Sequence, residues 1–173
     1  MDLKETIRTV PNWPIDGVMF RDLTTMMQDP KAYKASCDIL YDRYKDMKID
    51  KIVGIDARGF VFGAVLAYKM DVGFIPVRKK GKLPYKTITE EYTLEYGSAV
   101  VEMHEDAIGK GEKVLIVDDL IATGGTIGAA VNLVERLGGE VVECAFVVEL
   151  PDLKGREKIK GYKVFAITEF EGD

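Results

Sequence analysis

Residues 114–126 read Val-Leu-Ile-Val-Asp-Asp-Leu-Ile-Ala-Thr-Gly-Gly-Thr. A run of apolar, largely β-branched residues ends in two adjacent carboxylates and then breaks into small hydroxyl and glycine residues. An ionised carboxylate buried without a partner costs more than a few apolar side chains return. The expected structure is therefore a strand over Val114–Val117 that surfaces at Asp118. Beyond it, Ala122, Thr123, Gly124, Gly125 and Thr126 form a loop ahead of a helix over Thr126–Leu137. Glycines let several backbone N–H groups converge, and a helix start adds unpaired donors and partial positive charge. Thr123 and Thr126 add hydroxyls, so the loop can cradle one phosphate. It has no lysine of the Walker type and no G-x-G-x-x-G spacing. Taken alone, it reads equally well as an ordinary glycine turn.

Asp118 and Asp119 change that balance. Carboxylates beside a phosphate repel it unless the ligand also brings hydroxyl groups or a cation. A sugar diol gives charge-assisted hydrogen bonds to carboxylates. Ribose 5-phosphate has a phosphate at one end and a diol beside it, which matches acids followed by a glycine loop.

Outward from this stretch, apolar strands alternate with helical patterns. Asp29 and Pro30 open a helix expected to run to about Met47, with the aspartate as N-cap and the proline in the first turn. Strands are expected at Lys51–Ile55, Gly73–Val77, Val141–Leu150 and Val164–Ile167, with Pro76 marking an edge or an end. A helix is expected over Phe60–Lys69, and Tyr92–Glu102 alternates like a hairpin arm. Strands apolar on both faces, separated by helices, indicate an α/β fold with a mainly parallel sheet. Such sheets bind ligands at the carboxyl ends of their strands, which selects the loops after Ile55, Val77 and Val117. In a chain of net charge −5, the run Arg78-Lys79-Lys80-Gly81-Lys82 puts four cations in five residues at one of these strand ends. Charge runs are usually solvated turns, but a diphosphate is what this one suits.

The acidic balance points away from nucleic acid and from membrane surfaces as partners. The charged opening MDLKETIRTV is unlike a signal peptide. With Cys37 and Cys144 reading as separate buried thiols, a cytoplasmic setting is expected. The single histidine, His104, leaves little scope for a histidine-based nucleophilic or zinc site. The 173 residues suit one domain.

The stretch 114–126 resembles the 5-phosphoribosyl 1-diphosphate (PRPP) binding motif of type I phosphoribosyltransferases. The likeness extends over nearly the whole chain: 10–14 (VPNWP), 17–22 (GVMFRD), 56–60 (DARGF), 78–84 (RKKGKLP), 92–97 (YTLEYG), and 148–150 (VEL) followed by 154–157 (KGRE) all resemble segments of members that use adenine. The lysine and aromatic segment with which hypoxanthine-guanine members read a 6-oxo group is not found. The resemblance implies a central, mainly parallel sheet flanked by helices, with a small N-terminal base-binding hood within residues 1–30. A flexible lid is implied at 81–94. It implies transfer of the 5-phosphoribosyl group from PRPP to adenine, giving AMP and diphosphate. The alternatives are another base (hypoxanthine, guanine or xanthine) or a PRPP-binding regulator.

By the same resemblance, Asp118 and Asp119 grip the ribose and face the charge that develops there, and 122–126 hold its phosphate. Asp56, Ala57, Arg58, Arg78, Lys79 and Lys82 hold the diphosphate. The turn at 56–58 is one that often contains a cis peptide in the family. Some members have serine where Ala57 stands, so that hydroxyl contact is absent here. The main chain of Arg21 reads adenine, with Phe20 stacking and Met19 nearby. Taken alone, Met19 and Phe20 read as core residues. Glu95 corresponds to a carboxylate near the base, which accepts or relays the N9 proton or positions the base. Either Tyr85 or Tyr92 touches ligand on lid closure. Mg²⁺ is the implied cofactor, bound mainly through PRPP with no direct protein ligand assigned, and a homodimer is the implied assembly.

Overall fold

The computed structural model describes residues 1–94 and 96–172. A small antiparallel pair, β1 (Arg8–Pro11) and β2 (Met19–Asp22), pairs Val10 with Phe20. Two helices follow, α1 (Thr24–Gln28) and α2 (Pro30–Tyr44). The Asp29 carboxylate accepts from the N–H groups of Lys31 and Ala32, so α2 starts where the Asp-Pro pair places it. It stops short of Met47.

Beyond α2 come β3 (Lys51–Ile55), α3 (Arg58–Met70), β4 (Gly73–Lys79), β5 (Thr87–Thr93), β6 (Ser98–His104), β7 (Lys113–Ile121), α4 (Gly125–Arg136), β8 (Glu140–Glu149) and β9 (Val164–Glu169). The large sheet has the order β5-β6-β4-β3-β7-β8-β9. Its β4, β3, β7, β8 and β9 run parallel, and the β5–β6 hairpin joins antiparallel. The hairpin meets β4 only at Arg78 and Lys79. The start of β4, with Pro76, therefore needs no donor on that side.

β3, β7 and β8 are buried along most of their length. One apolar cluster joins α2 and α3 to one side of the sheet, through Leu40, Tyr44, Phe62 and Leu66. The other joins α4 to the opposite side, through Ile127, Val131 and Val134. Two polar anchors tie the layers. Arg43 donates from Nε and Nη2 to the buried Glu143 at 2.6 and 3.0 Å, and Tyr44 Oη donates to the same carboxylate. Both cysteines are buried free thiols. Among the described residues, no helix is long and apolar enough to cross a membrane.

Two expectations change. β7 does not end at Val117 but runs through both aspartates to Ile121, because β8 stays paired with it as far as Ile121 opposite Glu149. In the segment 81–94, Thr87–Thr93 is strand β5, zipped to β6. The irregular part is the turn before it, where the buried Glu102 carboxylate accepts from the N–H groups of Gly81 and Leu83 at 3.0 and 3.1 Å.

Candidate active site

The carboxyl ends of β3, β4 and β7 open into one cavity of about 270 Å³. Asp56, Ala57, Arg58, Arg78, Lys79, Asp118, Asp119 and all of 122–126 line it. Residues from three separate loops thus meet in one place, as strand-end loops of a parallel sheet should.

Each loop has a local reason for its shape. The Asp56–Ala57 peptide is cis, and Asp56 N–H donates to the Val77 carbonyl at 2.9 Å. Gly59, in the first turn of α3, lies against the acids. A Cβ there would stand 2.9 Å from Asp118 Oδ1 and 2.9 Å from the Val117 carbonyl. Gly124 caps α4 at φ +86°, a conformation glycine adopts without strain. The first N–H groups of a helix have no partners within it, and those of α4 begin at the cavity wall.

The charges are paired across the floor. Arg58 Nε donates to Asp119 Oδ2 at 2.5 Å, and Arg78 Nε donates to Asp56 Oδ2 at 2.8 Å. Asp119 is 3% exposed, and Arg58 is its partner in that buried position. Partial burial pulls the Arg58 guanidinium down, but Asp119, with help from Asp118, more than reverses this. Asp118 has no arginine of its own. Its Oδ1 accepts the Asp119 N–H at 2.8 Å. Burial, followed by the neighbouring Asp119 carboxylate, pushes its pKa well above the ordinary 3.8.

The phosphoribosyl transferase domain family matches residues 23–172. The chain belongs to that family. It is 70% identical over 173 residues to the adenine phosphoribosyltransferase of Desulfosudis oleivorans, covering 100% of both chains. The crystal structure of adenine phosphoribosyltransferase from Thermoanaerobacter pseudethanolicus superposes with a TM-score of 0.94 at 47% identity, covering 98% of each chain. That from Saccharomyces cerevisiae, complexed with D-2,5-dideoxy-2,5-imino-altritol 1,6-bisphosphate and adenine, gives 0.90 at 42% identity, with 96% of each chain covered. The fold described above is the type I phosphoribosyltransferase fold.

Within this fold, some expected residues stand apart from the cavity. Lys82 does not line it; its side chain is exposed and its N–H closes a turn onto the Lys79 carbonyl at 3.2 Å. Met19, Phe20 and Arg21 lie on β2, outside the large sheet. Phe20 is half-buried rather than core, with its ring edge-on to Trp13 at 4.5 Å. Arg21 donates to Thr9 Oγ1 at 2.8 Å and sits over the Phe170 ring at 4.6 Å. Glu95 lies outside the described residues.

The tyrosines, left open by sequence, separate. Tyr92 lines the cavity, and a Cβ on Gly125 would come within 2.8 Å of its ring. Tyr85 is exposed and packs edge-on against His104 at 6.2 Å. Gly59 and Gly155 were missed as supports of the site. Gly155 packs behind the glycine loop, where a Cβ would meet the Ala122 carbonyl at 2.5 Å. The only sequence signal for either was its place in a family-like segment.

Proposed function

We propose that this chain transfers the 5-phosphoribosyl group from PRPP to adenine, releasing AMP and diphosphate. One observation carries the reading. Two adjacent carboxylates toward the carboxyl end of β7, and the start of α4, share a cavity with Arg58, Arg78 and Lys79, a layout complementary to a phosphorylated sugar bearing an anionic leaving group. The named relatives, alike over the full length, support adenine as the base.

In the reaction, a bond forms between adenine N9 and ribose C1 while the bond from C1 to the diphosphate oxygen breaks, with inversion at C1. The electron pair leaves with the diphosphate, and the N9 proton passes to a base, with Glu95 accepting or relaying it in this reading. Positive charge develops on the sugar. Asp118 and Asp119 are placed to stabilise that charge. Asp118 has the most to gain, since burial and the neighbouring Asp119 carboxylate disfavour its ionised form. Loop 122–126 holds the 5-phosphate through backbone N–H groups and the Thr123 and Thr126 hydroxyls. Arg58 and Arg78 hold their acids through Nε, leaving the terminal nitrogens of each guanidinium to meet the diphosphate with Lys79. Met19, Phe20 and the Arg21 main chain form the base hood, Glu95 serves the base, and Tyr92 closes over the sugar as the β5–β6 arm shuts.

The residues present fit a cation that arrives with PRPP. Two of the three acids lining the cavity, Asp56 and Asp119, are already paired with arginines, so most of such a cation's ligands would come from the substrate. Mg²⁺ bound with the substrate would neutralise diphosphate charge. We also read the protein as a cytoplasmic homodimer; two buried free thiols suit a reducing compartment, and light scattering tests the dimer.

The test of function is a nucleobase panel with PRPP and Mg²⁺. AMP should form with adenine far faster than any nucleotide forms with hypoxanthine, guanine or xanthine. IMP or GMP forming faster than AMP overturns the base assignment. PRPP binding without turnover of any base indicates a regulator instead.

A further inference from the structure

The glycine loop that cradles the phosphate has two faces. One lines the cavity; the other rests on Gly155. A Cβ on Gly124 would stand 2.3 Å from the Gly155 carbonyl oxygen, and one on Gly155 would stand 2.5 Å from the Ala122 carbonyl. Backbone therefore lies directly on backbone, with the Ile121 side chain packed beside the contact, 2.8 Å from the same Gly155 Cβ position. What presses Gly155 there is its neighbour. Arg156 donates from Nε and Nη2 to the two oxygens of Glu149, both at 2.7 Å. Glu149 is 7% exposed and ends β8, opposite Ile121 at the end of β7. Leu150 N–H donates to the Ile121 carbonyl at 3.0 Å, so the anchor is fixed to the strand that carries the acids. Lys154, at φ +55°, turns the chain so that Gly155 and Arg156 face back. Neither Glu149 nor Arg156 lines the cavity.

We propose that Glu149 and Arg156 are positioning residues for phosphoribosyl transfer: their bidentate pair clamps Gly155 against the back of residues 122–124 and holds the phosphate cradle in its binding shape. The physical reason is entropic. Glycine-rich backbone has the most freedom to lose, and a loop ordered in advance does not give up affinity to ordering when the ligand arrives. A bidentate arginine–carboxylate pair fixes direction as well as distance, and a partner on the last residue of β8 is as rigid as the sheet.

The inference rests on the PRPP-dependent reading of the cavity, and three variants test it by steady-state AMP formation and by calorimetric binding of ribose 5-phosphate. Arg156→Ala should raise KM for PRPP and Kd for ribose 5-phosphate about tenfold, with KM for adenine within about twofold of the parent. Arg156→Lys should recover part of the loss, since lysine keeps the charge but not the fork. Gly155→Ala, which leaves the ion pair in place and pushes on the Ala122 carbonyl, should give the same PRPP-selective signature and serves if Arg156→Ala does not fold. Glu149→Gln discriminates against a direct role for the arginine. A clamp predicts weaker ribose 5-phosphate binding; an Arg156 that itself binds phosphate predicts tighter binding once released, and that result overturns the proposal. Equal rises in the KM values of adenine and PRPP overturn it too. If the parent chain makes no AMP yet ribose 5-phosphate binding weakens in Arg156→Ala, the clamp stands and the assigned activity falls.

Discussion

The two ends of the proposed ligand site rest on different supports. The sugar-phosphate end is carried by β7 and α4. On β7, six of nine residues are buried, and α4 packs Ile127, Val131 and Val134 into the core. The base end is carried by β2 in a two-stranded sheet, where no residue reaches full burial. Two-stranded ribbons are marginal without packing support, whereas buried strand ends open only with large parts of the fold. The sugar-phosphate end is thus preformed, and the base end is free to adjust around its ligand. Chemistry and affinity should divide along the same line.

The largest effect should come from the rigid end. Replacing both Asp118 and Asp119 with asparagine removes the carboxylates proposed to face the developing charge, and frees Arg58 from its 2.5 Å partner. The kcat/KM for AMP formation should fall by at least about 100-fold, mostly in kcat. A double variant with the parent's kcat would dissolve the distinction between the two ends. A smaller and differently shaped effect is expected from the hood. Phe20→Ala removes the ring that, in the proposed hood, would offer a face to adenine, and loses its edge contact with Trp13. Aromatic contacts of this kind are worth about 1 kcal/mol, so KM for adenine should rise roughly five- to tenfold. The KM for PRPP should stay near the parent's, and a matching rise there would tie the two ends into one unit.

The same division governs what could be read from the sequence. Asp118, Asp119 and the loop 122–126 could be argued from chemistry alone, because acids at the end of an apolar strand demand an explanation that Met19 and Phe20 do not. The hood came only from resemblance; in isolation its residues look like core, and their half-exposure is a tertiary fact. Periodicity also misjudged where β7 stops. Apolar pattern tracks burial by side chains, while the strand persists as long as β8 supplies hydrogen bonds, and it does so past both aspartates. The hairpin β5–β6 hid in part for a related reason: its arm reads as polar loop because one face is left to solvent. Glu102 carried no signal and Glu149 only its place in the family-like segment 148–150, since a carboxylate satisfied by Gly81 and Leu83 N–H groups, or by Arg156, looks like any surface acid until its partners are seen.

The smallest expected effect concerns stability, and it runs opposite to activity. The folded chain holds the Asp118 proton more tightly than the unfolded chain, because burial and the neighbouring Asp119 carboxylate penalise its charge. From the ordinary value of 3.8 up to the raised folded value, the native state therefore carries more protons than the unfolded state. Stability must fall as pH rises through that window, and the loss remains above it. Asparagine at 118 has no proton to lose and keeps an oxygen for the Asp119 N–H. Asp118→Asn should therefore melt higher than the parent at pH 8. A relief of about 1 kcal/mol is worth roughly 2–4 °C in a chain of this size. The gap should shrink as pH is lowered and close near pH 4, below which the parent's carboxyl is protonated in both states. Thermal melts of both proteins across that range read the curve directly. A variant less stable than its parent at pH 8 would mean that Asp118 is a structural acid like Glu102, whose hydrogen bonds overcome its burial and lower its pKa. The acid whose charge is disfavoured in the proposed site would then have to be sought elsewhere.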